Sequence, residues 1–544
     1  MPATRGTSDR YHPRRLFSFG VGLLVVGALG CSQPHAPTST VEVLHRGLSG
    51  EPATLDPAEA GDTFSYEVMD DLYEGLTTES PAGAVIPGVA SSWTVNASGT
   101  QYTFQLRPDA QWSNGKSVRA QDFIAAWQRT LDPKQGSPVA DNLRLILNAP
   151  AIIAGKSPVS TLGVEARGDS VLIVNLEQPA PYFPQVLSHS AAYPIYTDTS
   201  ARSHDPATWV SNGAYVLAGW SPTTAVTLEK NPHYWNRSAV HIPRIDYVVA
   251  SDGYAQFVRY RAGALDMTDT VPENAAAELR REHSTEFVTA PYLATAYYGF
   301  NLTAGPCKTN LKLRQALSMA IDRTRLVESL SFEQAPAFGF VPPGTWNYGS
   351  QSLPWKDLGD ADRVAEAKRL YAAAGYSPRA PLHLRLLYNS NPAIKHTAIV
   401  VASMWRETLG IETEMVDEEY RVFLQSRHDR SRWDVARLAW SADFNDASNF
   451  LDTFRVHSSN NDPGYVNPAF DELLDAAAGN ADASRRRELL ERSERLMLTD
   501  YPLVPLYFFV SKRLIKPYVQ GVVANPMNHI RSQALSMQAR SKRD

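Results

Sequence analysis

Cysteine is almost absent: the 544 residues hold two, Cys31 and Cys307. A disulfide framework is therefore excluded, and stability has to come from apolar cores. No charge sign dominates either. Lys and Arg number 52 against 57 Asp and Glu, a net charge of −5, so composition gives no reason to expect a nucleic-acid partner. Beyond the first 30 residues no apolar run approaches the ~18 residues a membrane span requires. Catalytic signatures are missing as well. There is no G-x-S-x-G elbow, no phosphate loop, no G-x-G-x-x-G, no H-E-x-x-H, and no Cys/His set at zinc spacing. His428-Asp429 is an adjacent pair rather than a triad and is expected in a surface loop. Cys307 follows a Gly-Pro turn with no identified base. The residues therefore favour binding over catalysis, with no cofactor and no metal.

What is present begins at the N-terminus. Arg14-Arg15 precedes an apolar run, Leu16 to Leu29, that ends in small residues before Cys31. A basic start, a short apolar segment and a small-residue boundary predict an export signal over residues 1–30. Ala28-Leu29-Gly30-Cys31 resembles a lipobox, which makes Cys31 the expected lipidation site and new N-terminus. Arg14-Arg15-Leu16-Phe17 also resembles a twin-arginine signal. Residues 31–40 read as a flexible, Pro-bearing tether. The chain is too long for one core, so several lobes are expected. Its 24 Tyr and 11 Trp suit a large contact surface as well as a large core.

Periodicity places the elements. A strand is expected at Val41 to Leu44, a helix from Ser65 to Tyr73, and a helix C-terminus with positive φ at Gly75. Gln101 to Arg107 alternates as a half-buried strand, and Val171 to Leu176 is another. Phe123, Trp127 and Leu131 mark a helix that stops at Asp132-Pro133. Leu313, Ala316, Leu317, Ala320 and Ile321 lie on one helical face, which Asp322-Arg323 ends. A strand through Leu382 to Tyr388 precedes a helix from Thr397 to Leu409 stopped by Gly410. The last long helix, Arg485 to Leu498, opens with Arg485-Arg486-Arg487, read as a solvated face. Alternating strands and helices predict an α/β protein.

Several blocks occur in a specific order: Leu55-Asp56-Pro57, Tyr73-Glu74-Gly75-Leu76, Pro87-Gly88-Val89-Ala90, and Phe104-Gln105-Leu106-Arg107 through Trp112-Ser113-Asn114-Gly115. Pro179-Ala180-Pro181-Tyr182-Phe183, Asn212-Gly213-Ala214-Tyr215 and Asn231-Pro232-His233-Tyr234-Trp235 continue the series. With them the chain resembles the periplasmic oligopeptide-binding proteins of ABC importers, a large solute-binding family that includes murein-peptide binders. The resemblance implies a type II periplasmic-binding-protein fold: two lobes with a hinge and cleft, plus an extra α/β domain. Domain I is then discontinuous (41–73, 193–293, 510–544), domain II is 74–192 and domain III is 294–509.

A binder of extended peptides needs backbone groups that pair with the ligand, an anion for its ammonium and cations for its carboxylate. The stretch Arg437 to Asn445 offers all three in nine residues. The resemblance assigns Asp443 to the peptide ammonium, Trp440 to a side-chain pocket, and the backbones of Ala439 and Ser441 to the ligand backbone. It assigns Arg427 and Arg437 to the ligand carboxylate and Tyr420 to a second aromatic pocket. Asn389, Tyr297, and Lys395 or His396 are further candidates. The sequence also departs from the family. Asn142 stands where a tyrosine contacts the ligand backbone, and Gly61 replaces an acidic residue beside Asp62. Ala294 and Ser441 occupy positions that a disulfide joins in relatives. The expected function is capture of short peptides outside the cytoplasm by a lipid-anchored monomer, for delivery to a membrane permease and its ATPase. A murein tripeptide, dipeptide, haem or metal-chelate ligand, or a peptide-sensing role, is the alternative.

Overall fold

Alternation of buried and exposed residues decides the first sheet. The computed structural model describes residues 42–197, 206–272, 275–330, 334–377 and 379–538, so Cys31 and the export signal lie outside the described residues. Gln101–Leu106 turns Tyr102, Phe104 and Leu106 inward, between Ala90–Val95 and Val171–Asn175. Val164–Arg167 completes this antiparallel four-stranded sheet. Helix Ala120–Leu131 buries Phe123, Trp127 and Leu131 in the same core as Phe104. The Asp122 carboxylate accepts the Arg119 N–H (2.9 Å) and the Trp112 indole N–H (3.1 Å), fixing the helix start.

A second four-stranded sheet joins distant segments. Val43–Leu48, two residues later than alternation placed it, runs parallel to Arg244–Val249, followed by Ala225–Lys230 and Tyr215–Ser221. Arg46 is buried there. Its guanidinium donates to Glu67 (2.7 Å), Ser532 Oγ (2.6 Å) and the Ile530 carbonyl (2.8 Å), which ties the C-terminal tail to the first strand. Helix Thr63–Leu72 is capped by Asp62, whose Oδ1 accepts the Ser65 N–H at 2.8 Å.

The third sheet has six strands, in the order Ala335–Pro336, Leu503–Leu514, Phe287–Phe300, Val435–Ser441, His383–Asn389 and Glu412–Glu418. Two of its strands are long: Phe287–Phe300 has 14 residues and pairs antiparallel with the 12 of Leu503–Leu514. Helix Pro392–Leu409 starts earlier than Thr397, because Pro392 occupies its first turn and Asn391 caps it. It ends as expected at Gly410 in the left-handed region (φ +75°).

Three expectations change. Gly75 does not have positive φ; the preceding helix ends at Tyr73, and a Cβ at Gly75 would lie 2.4 Å from the Leu187 carbonyl oxygen. Close backbone approach, not turn geometry, calls for glycine there. The face Leu313 to Ile321 is not one helix. Leu311–Met319 ends first, and Asp322 opens a new helix, Arg323–Leu330, by accepting the Arg325 N–H (2.9 Å). Nor is the basic run wholly solvated. Arg486 is buried and forks onto Asp446 with two bonds of 2.7 and 2.8 Å, while its guanidinium lies 4.4 Å from the Tyr182 ring centre. Beside it Phe444 stacks on Tyr182 (5.4 Å, 13°). Helical periodicity does not show that a neighbouring loop will bring an acid to this one arginine.

Removing one partner of this pair leaves a buried charge uncompensated. Asp446→Ala or Arg486→Ala should each cost about 3–5 kcal/mol in denaturant unfolding, whereas replacing both with apolar residues should restore most of the loss. A cost under ~1 kcal/mol for either single change would show that the pair is solvated.

Candidate functional site

The candidate site is built on the strand Val435–Ser441. It pairs antiparallel with Phe287–Phe300, placing Ala294 opposite Ser441, Ala296 opposite Ala439 and Tyr298 opposite Arg437. The Asn301 N–H donates to the Asp434 carbonyl (3.0 Å) at one end, and the Ala442 N–H to the Leu293 carbonyl (2.8 Å) at the other. Those two bonds set the parity of the ladder: even-numbered residues bond inward, and the N–H and C=O of Ala439 and Ser441 point to the opposite edge. On that edge the parallel partner His383–Asn389 pairs only as far as Leu387 with Ala436. Ala439 and Ser441 therefore present main-chain donors and acceptors on an edge past the last paired residue, where an extended ligand can add as a strand.

Asp443 lies just beyond this edge. It is exposed, and no cation pairs with it among the described residues. Asn449 holds the turn: its Oδ1 accepts the Trp440 indole N–H (2.9 Å) and the Asp443 N–H (3.3 Å). The half-buried Trp440 packs against the core that contains Leu438 and Phe450.

A wall from the N-terminal half faces the carboxylate. The Tyr66 hydroxyl is pushed up to about 12 by burial and by the nearby Asp443 and Asp62. Its ring meets His189 edge-on at 4.9 Å. His189 Nδ1 accepts the Ala191 N–H (3.1 Å) and lies 3.2 Å from Asn142 Nδ2. An accepting Nδ1 puts the ring proton on Nε2, so this imidazole is neutral. Burial acts in the same direction, holding its pKa below the ordinary histidine value against the pull of Asp443. The wall thus supplies no competing cation to Asp443. Behind it, His529 Nδ1 lies 2.7 Å from Glu79. Burial opposes charge on His529, but the Glu79 carboxylate prevails and raises it to about 9.

Of the expected residues, Ala439, Trp440, Ser441 and Asp443 share one strand and the turn after it, and Asn142 meets this region through His189. Arg437 lies one turn of the pleat from Ala439 and has no ion-pair partner among the described residues. Arg427 already faces Asp462 (3.6 Å), a buried acid that His428 also meets at 2.8 Å. His428 and Asp429 lie exposed in a surface turn as expected, with His428 also reaching Asp462. Tyr420 is 55% exposed, so it is not a core residue. Asn389 is buried, with its Oδ1 lacking a hydrogen-bond partner. Tyr297 is a correction: it is buried against Phe340 (5.1 Å) and Phe454 and is part of a core, not of the opening. Lys395 pairs with Asp417 (3.5 Å) and His396 faces the Ser329 carbonyl (3.2 Å), so both are engaged away from the site strand. Sequence reasoning missed Tyr66, His189 and the Asn449 amide. Nothing local in the sequence links His189 to a residue 254 positions on.

Comparison with known proteins fits this geometry. Residues 84–462 match the model for bacterial extracellular solute-binding proteins, family 5. The periplasmic oligopeptide-binding protein OppA of Salmonella typhimurium is 35% identical over 530 residues, 95% of this chain and 97% of the relative. The chain is a family 5 solute-binding protein. This family is non-enzymatic, and its solved structures share the three-domain mixed α/β fold. The murein tripeptide-binding protein MppA of Escherichia coli superposes with a TM-score of 0.79 at 33% identity, covering 92% of this chain and 99% of that one. Haemophilus influenzae OppA, solved with the peptide RPPGFSPFR, gives 0.76 at 32% identity, with 92% and 99% covered. Within this family, the facing Ala294 and Ser441 stand without the crosslink expected of relatives; instead Ser441 hydrogen-bonds Tyr292.

The His529–Glu79 pair makes stability depend on pH. Its folded pKa of about 9 exceeds the ~6.5 of an unfolded histidine. The stabilisation is full below about 6.5 and is lost as pH rises through about 9. Thermal midpoints should fall across that window, and His529→Gln should flatten the fall; an identical pH profile for both proteins contradicts the pairing.

Proposed function

We propose that this protein captures short peptides as an added strand along Ala439 and Ser441, with the ligand ammonium on Asp443. The observation that carries this reading is the exposed Asp443 carboxylate, held only by the Asn449 amide (3.5 Å) and without an ion-pair partner among the described residues, at the end of an open strand edge and faced by a neutral imidazole. Arg437 supplies the uncompensated cation for the ligand carboxylate, and Arg427 joins it at the cost of sharing Asp462. Tyr420 and Trp440 line side-chain pockets, and Asn142 acts by holding His189. The protein serves an ABC-type peptide importer, whose permease and ATPase are separate subunits. It works outside the cytoplasm as a monomer, anchored through lipidated Cys31. Among the described residues no helix is long and apolar enough to cross a membrane. The domain division given above is supported by separate apolar cores around Phe104, Leu228 and Leu386. Closure between lobes covers the bound ligand. A murein tripeptide remains an alternative ligand, supported by the similarity to MppA.

Truncating one partner of a buried, charge-paired contact costs about 2–5 kcal/mol, or roughly 30- to 4,000-fold in affinity. Asp443→Ala should weaken tri- to pentapeptide binding by that amount in calorimetry. N-acetylated peptides should bind the wild type equally weakly and lose nothing further on the variant. Unchanged affinity for free-amino peptides removes the ammonium contact. Mass spectrometry of co-purifying ligands separates ordinary peptides from murein peptides. For the anchor, Cys31→Ala should move the exported protein from the membrane to the soluble fraction, and wild type found only in the soluble fraction contradicts lipidation.

A further inference from the structure

Away from the peptide site, the structure has a half-open cavity of about 310 Å³ between the hairpin carrying Glu79 and Ile86, the segment 236–241 and the C-terminal tail. That volume is in the range of small-molecule sites. None of Asp443, Trp440, Arg437, Tyr66 or His189 lines it. Its lining is chiefly apolar. Val240 and Leu535 form a buried floor, while Ile86 and Val523, 39% and 42% exposed, leave large aliphatic surfaces in water at its edge. Three polar side chains in the lining, Asn236, His241 and Gln533, have no side-chain partner in the protein among the described residues. The charged groups are already matched: Glu79 with His529 (2.7 Å) and Arg531 with Asp70 (3.2 Å). A charged ligand would find no spare counter-ion here and would bear the desolvation cost unpaired. A neutral ligand meets no such penalty.

We propose that this cavity is a second ligand site that takes a neutral amphiphile, its hydrocarbon body against Ile86, Val240, Val523 and Leu535 and its amide or hydroxyl head on Asn236, Gln533 and His241. The site does not depend on the peptide reading, because the two share no contact residue. Arg531 in its lining also reaches the Tyr193 hydroxyl at 3.1 Å, four residues along the chain from His189.

The probe is 4-fluorobenzamide, a flat apolar ring with one neutral amide, followed by fluorine NMR on the full-length exported protein with and without saturating peptide. Saturable binding in the low-millimolar range, indifferent to peptide, is expected. Ala239→Trp fills the mouth from an exposed position, and Val523→Asp places a charge there. Each should weaken the probe by about tenfold or more and leave peptide affinity unchanged. Absence of saturable binding, displacement by peptide, or equal binding to both variants overturns the proposal. Failure of the Asp443→Ala test with success here would leave the cavity standing alone.

Discussion

The exposed Asp443 carboxylate, with no cation beside it among the described residues, is the feature around which the candidate site is arranged. Asp443 can serve an ammonium only if nothing in the protein neutralises it first. His189, on the wall facing Asp443, is prevented from doing so by two hydrogen-bond donors aimed at its Nδ1, Ala191 N–H and the Asn142 amide. The cation nearest His189 in this wall, on His529, is paired with Glu79. Two histidines near each other thus carry opposite charge states for geometric reasons, one facing a backbone N–H and the other a carboxylate.

The turn bearing Asp443 has no covalent staple, so packing has to hold it. Asn449 ties it to the Trp440 indole. Phe444 stacks on Tyr182, and Arg486 clamps Asp446 below the same ring. Aromatic stacking and a buried ion pair held by two hydrogen bonds limit the turn's freedom where relatives are expected to use a disulfide. The long pairing of Phe287–Phe300 with Leu503–Leu514 supports the site strand from the other side, so its outward edge stays extended without a partner.

Much of the site was legible in the sequence because its key residues are close together. Arg437 to Asn445 is one strand and one turn, and period-two alternation already separates Leu438 in the core from Ala439 at the edge. The errors came where the deciding neighbour is far away in the chain. Tyr297 alternates like a site residue but is enclosed by Phe340 and Phe454. Arg486 sits in an exposed-looking run but meets Asp446.

By itself the sequence determined the class of the protein: apolar periodicities that build α/β layers, too few cysteines for staples, no catalytic motif, and one local stretch holding a cation, an aromatic and an acid. These follow from short-range spacing, which needs no knowledge of the fold. Only the tertiary structure decided which edge of the site strand is open, which residues face Asp443 across the opening, and which charges are already spent. Each of those depends on register and on counter-ions brought from hundreds of residues away, and Coulombic and hydrogen-bond energies depend on distance in space rather than along the chain.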